Sequence, residues 1–132
     1  KRRLLAAGVD AAASKGWALV AKAESTKASG DFDAARSYFD SLASKMPNEP
    51  IVRASALNAA GVAKLAGGDA KSALRLFQEA EVVHFRASNE VARSLWYQAE
   101  CWKKLGNEKD RAERLKDLRM SFPGSEWARR AQ

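Results

Sequence analysis

The run Gly67-Gly68-Asp69-Ala70-Lys71-Ser72 has the ingredients of a phosphate-cradling loop. Such a loop needs glycine directly before the Lys-Ser pair and a β-strand upstream. Here Ala70 precedes Lys71, and the preceding residues 56–65, "ALNAAGVAKL", favour a helix. Other reactive side chains are sparse. His84 is the only histidine and Cys101 the only cysteine, so neither a dense metal-ligand set nor an internal disulfide can be assembled. The sixteen Asp and Glu residues are scattered, with no pair spaced as a general acid and base. His84 reads as a half-buried helix-end residue and Cys101, beside Trp102, as a small packing residue. No catalytic residue, metal or cofactor is expected, and the chain does not read as an enzyme.

The elements that must position any site are helices. The chain has 132 residues, one domain's worth, is 46% hydrophobic and 30% charged, and is rich in alanine with only three prolines. That composition favours an all-α fold. No apolar run reaches the roughly 18 residues of a membrane span. The "KRRLLAAGVD" start is interrupted by Asp10 and does not read as a signal peptide. The chain begins without Met, so a piece of a longer protein is expected, and any membrane contact would come from segments outside it. A net charge of +7 favours acidic partners, phosphate or membrane surfaces in general, without identifying one. Basic and acidic residues are interspersed, however, which disfavours nucleic acid as the partner.

The glycines become legible when the chain is laid against itself. Gly30-Asp31, Gly68-Asp69 and Gly106-Asn107 recur every 38 residues. Leu19, Leu57 and Leu95 recur in step, as do Ala23, Gly61 and Ala99, and then Phe39, Phe77 and Leu115. A fixed period of this size signals stacked supersecondary units. Each unit reads as two helices, with the glycine ending the first and Asp or Asn capping the second. Asn48, Ser88 and Ser125 read as caps of the helices that open each following unit. In the last unit Ala112, Leu115, Leu118 and Phe122 fall on one helical face.

With Leu57, Ala60-Gly61, Ala73, Phe77 and Ala80 in the middle unit, the chain resembles the tetratricopeptide repeat family. The first unit matches through Leu19, Ala23, Ala35, Phe39 and Pro47, and the third through Leu95, Ala99, Trp102, Leu115 and Pro123. The family repeat is about 34 residues long. Further departures are Arg111 in place of a small residue, which would shift the third hairpin onto Ala112, and Phe85 in place of proline. The closing "SFPGSEWARRAQ" is similar to unit ends of bacterial envelope repeat proteins of the outer-membrane assembly lipoprotein and Tol-Pal coordinator type. That similarity implies a periplasmic cell-envelope location, with the cytoplasm as the alternative.

The resemblance implies a right-handed solenoid of three hairpins, units 16–53, 54–91 and 92–129, with short terminal helical segments, in one domain over 1–132. It also implies a protein–protein interaction scaffold whose first helices line a groove. The groove would draw on Trp17, Val20, Glu24 and Lys27, then Ser55, Asn58, Val62 and Leu65, then Arg93, Trp96, Glu100, Lys103 and Lys104. Of these, Arg93, Trp96, Glu100, Lys103, Lys104, Asn58, Glu24 and Lys27 are the candidate partner-binding residues. The partner would be a protein or peptide, with an acidic segment attracted by the basic side chains and Trp96 as the apolar anchor. The family's clamp for chaperone carboxylate tails is excluded because Val20 and Glu24 stand where it wants Lys and Asn. Self-assembly through the open ends is the alternative structural role, and a basic nucleic-acid-binding domain the other.

Overall fold

The computed structural model of the chain describes residues 2–132, with side chains from Gly8 onward. All seven regular elements among these residues are α-helices. They are α1 (Arg2–Thr26), α2 (Ser29–Lys45), α3 (Pro50–Ala66), α4 (Ala70–Val83), α5 (Ser88–Lys104), α6 (Glu108–Ser121) and α7 (Glu126–Arg130). Each of the first six packs on the next in sequence, and short links make every such pair antiparallel. The odd-numbered helices also touch each other, α1 on α3, α3 on α5 and α5 on α7.

Two of the three hairpin turns are built as the sequence implies. Gly68 and Gly106 lie at φ +89° and +77°, the left-handed region that glycine occupies without steric cost. Asp69 and Asn107 then cap α4 and α6, their side chains accepting the backbone N–H of Ser72 and Asp110. Ser125 caps α7 in the same way through Ala128 N–H.

The first turn is a correction. It falls at Lys27-Ala28 rather than at Gly30, which sits inside α2. Lys27 itself takes φ +58°, a conformation costing an L-residue roughly 1–2 kcal/mol. Local bonds hold it there. The Thr26 hydroxyl donates to Asp31 at 2.6 Å and accepts from Ala28 N–H, while Lys27 N–H donates to Ala23 C=O at 2.7 Å. Asp31 therefore braces the turn from the first turn of α2 instead of capping it. Two other helix starts also lack the side-chain caps expected for them: α3 follows Glu49 and α5 follows Ala87, neither of which bonds a helix N–H through its side chain, so Asn48 and Ser88 do not cap as expected.

Packing shows the same displacement. Phe39 and Phe77, both fully buried, fill equivalent spaces in the first two hairpins. Phe77 lies over Gly61, where an added Cβ would stand 2.6 Å from the ring. Phe39 lies instead over Gly16, two helical turns before the position that is equivalent by spacing, Ala23. The shifted turn moves the facing residue backward along α1. In α6 the expected apolar face is only partly used: Leu118 is buried, Leu115 and Phe122 are half-buried, and Ala112 is exposed.

Two glycines inside helices should therefore respond with opposite sign to the same substitution. Gly16→Ala forces a methyl into the Phe39 ring, so overpacking of about 1–3 kcal/mol outweighs the helix propensity gained. Gly30→Ala meets nothing within 4 Å and should stabilise by about 0.4–1 kcal/mol. Urea unfolding of both variants checks this pair of signs.

Candidate functional site: a polar clamp between two clefts

α5 runs through the middle of the molecule and presents one stripe, Arg93, Tyr97, Glu100 and Lys104, toward α1. The spacing of four, three and four keeps these residues on one helical face. Arg93 is the hub. Its guanidinium lies 3.5 Å from the Trp17 ring centroid and 4.8 Å from that of Trp127, and its Nε is 3.2 Å from Glu90 Oε1. Cation–π contacts of this desolvated kind contribute about 2 kcal/mol. Glu90 is only 4% exposed, and Asn58 on α3 donates to both its carboxylate and its backbone carbonyl, at 3.1 and 3.0 Å. Residues from α1, α3, α5 and α7 thus meet around one ion pair.

One turn further along α5, Tyr97 stacks on Phe77 with centroids 5.2 Å apart. Its hydroxyl donates to Glu24 on α1 at 3.0 Å. Burial, with the Glu24 carboxylate beside it, pushes the phenol well above its ordinary range, so it stays a donor. Burial raises the Glu90 carboxyl as well, against the opposing pull of Arg93 and Asn58. His84, the residue ending α4, is shifted down by burial and by Arg53 and is neutral at pH 7. The buried Cys101 thiol is pushed up to about 12 by burial and then by Glu100, which leaves it protonated and unreactive at neutral pH.

A cleft lies on either side of this clamp. One, of about 570 Å³, is walled by Asp10, Trp17, Ile51, Arg86, Glu90 and Arg93, with Glu126 at its edge. The other, of about 720 Å³, lies between the ends of α1, α3 and α5 and the start of α2. Phe32, Val62, Leu65 and Tyr97 form its apolar lining, and Glu24, Lys27, Asp33, Glu100 and Lys104 stand around it. Among the described residues none of these five charged side chains forms an ion pair, including Glu100 with Lys104 one turn away.

The eight candidate binding residues are dispersed accordingly. Glu24, Lys27, Glu100 and Lys104 come together around the larger cleft. Arg93 lines the smaller one and is committed to Glu90. Asn58 is fully buried in the clamp. Trp96 is half-buried against the core, and Lys103 is exposed, both outside the two linings. Tyr97 is the residue that spacing alone missed. It lies one position beyond Trp96, and the stripe through Arg93, Glu100 and Lys104 selects it. Among the described residues no group of three or more His, Cys, Asp or Glu side chains is placed to hold a metal ion.

Scans of protein-family models, curated proteins and solved structures gave no match to this chain.

The direction of the Glu90 shift has a measurable consequence. A carboxyl raised above its unfolded value makes a contribution fully present below the unfolded pKa and lost as pH rises through the folded one. The stability of the native chain relative to Glu90→Gln should therefore improve as pH falls from 7 toward 4.5. Denaturant unfolding of both proteins across that window checks the sign.

Proposed function

We propose that the chain is a protein-interaction module of the tetratricopeptide type, a right-handed three-hairpin solenoid that holds a segment of another protein in the larger cleft. The supporting features of the fold are the 38-residue spacing of Gly68 and Gly106 and the paired Phe-over-Gly contacts. The observation that carries the reading is the cleft's composition. An apolar floor of Phe32, Val62, Leu65 and Tyr97 is surrounded by charged side chains with no ion-pair partner of their own. A floor of this kind takes an apolar side chain, and unpaired rim charges set the orientation of what binds. Glu24, Asp33 and Glu100 stand beside Lys27 and Lys104, so the segment expected is one of mixed charge around an apolar anchor, rather than a purely acidic one.

Lys27 adds to this. It occupies a left-handed position where the other two hairpins use glycine, and its side chain borders the cleft. Strain retained at a cleft edge is a mark of a binding role.

Selection of peptides from a displayed library, followed by amide chemical-shift mapping, tests the reading. Selected peptides should perturb residues around Val62, Leu65, Tyr97 and Lys104. Leu65→Glu should weaken them by at least about 2 kcal/mol, the scale of a hot spot, while the chain keeps its folded helical spectrum. Peptides that map to the smaller cleft, or that bind Leu65→Glu at full strength, would contradict it.

A further inference from the structure

The two ends of the helical array differ. Because neighbouring helices are antiparallel, the α2–α3, α4–α5 and α6–α7 links lie at one end, and the hairpin turns at Lys27, Gly68 and Gly106 lie at the other. Every exposed large apolar side chain among the described residues is at the link end. Ile51 is in the first turn of α3, Val82 and Val83 close α4, Phe85 is in the α4–α5 link, and Met120 is in the last turn of α6. Val82, Phe85 and Met120 are 69%, 65% and 71% exposed, whereas Ile51 is 37% exposed. The hairpin-turn end carries none.

Basic residues share the link end. Lys45, Arg53, Arg86, Arg129 and Arg130 are exposed there. Arg86 lies 5.6 Å from the Phe85 ring, and Arg86 and Ile51 border the same cleft. Of the carboxylates in the same layer, Glu90 pairs with Arg93, Glu126 with Arg130, and Glu81 accepts from Gln98, while Asp10, Glu49 and Glu79 have no ion-pair partner among the described residues.

We infer that the link end of the array is a docking face for an anionic lipid surface. The apolar residues are distributed over α3, α4, its following link and α6, a layer across one end of the array rather than the wall of a groove. Such a layer matches a flat partner. Aliphatic and aromatic side chains enter the boundary between headgroups and acyl chains, and the surrounding Lys and Arg side chains meet anionic headgroups. No helix among the described residues is long and apolar enough to cross a membrane, so the contact is peripheral. The larger cleft opens between the hairpin-turn ends of α1, α3 and α5, away from this face, so both could be occupied at once.

The experiment is flotation of the whole chain with vesicles of phosphatidylcholine alone and with vesicles that also carry phosphatidylserine. The chain should float with the phosphatidylserine vesicles, be released by salt, and stay behind with phosphatidylcholine alone. Val83→Ser with Phe85→Ser, and separately Arg53→Glu with Arg86→Glu, should each reduce the floated fraction by about tenfold while melting as the parent does, since all four side chains are exposed. Flotation unchanged in both double variants would overturn the face, leaving only diffuse attraction by the chain's +7 charge. Absence of flotation would overturn it too. So would a concentration-dependent dimer that the Val83→Ser, Phe85→Ser variant abolishes, because the apolar layer would then belong to a second copy.

Discussion

The Glu90–Arg93 pair is the interaction on which the arrangement depends. A guanidinium held between the indoles of Trp17 and Trp127 brings α1 and α7 onto α5. The carboxylate that neutralises it is fixed to α3 through Asn58. Hydrophobic contact alone would allow hairpins to slide along one another, since alanine and leucine stripes are similar from turn to turn. An ion pair with hydrogen bonds from a third helix tolerates one register. Burying it is costly, and setting register is the best-attested use of such a buried pair. The register so defined sets Tyr97 under Glu24 and thereby the floor of the larger cleft.

Much of the helical architecture could be read before any coordinates. Asp69 and Asn107 cap where their types and positions relative to glycine say they should, and Phe77 packs on the small Gly61. The first hairpin was misplaced for a physical reason. Gly30-Asp31 has the same letters as Gly68-Asp69, yet Thr26, Asp31 and Ala28 close a tighter network three residues earlier, and Lys27 accepts the left-handed conformation. Glycine permits a turn without requiring one, and a local hydrogen-bond network decided between them. Gly16, which carries Phe39, falls in step with Ala54 and Ala92, so its role under a ring was not singled out by a comparison of units.

The lining of the larger cleft was legible only as a stripe on α5, offset by one residue. Trp96 attracted notice through its size, but a difference of one residue is a rotation of about 100° on a helix. That rotation places Trp96 against the core and Tyr97 on the cleft. Arg93 looked like a free binding residue because no sequence pattern joins it to Trp17 and Trp127, which lie far away along the chain. The apolar layer at the link end was equally hidden. Val82, Val83 and Phe85 look like ordinary helix-end core until the antiparallel stacking shows that nothing covers them.

A double-mutant cycle on the clamp tests the account most directly. Glu90→Gln, Arg93→Met and the double variant would be compared with the native chain by denaturant unfolding. Arg93→Met leaves the buried Glu90 carboxyl without its cation and should cost about 3 kcal/mol, while Glu90→Gln, which keeps the neutral form that burial favours, should cost less. The double variant removes both, so its cost should fall short of the sum of the singles by at least about 1.5 kcal/mol. Additivity within about 0.5 kcal/mol would contradict the account. The pair would then be incidental, and the register of the hairpins, with the cleft it shapes, would have to come from apolar packing alone.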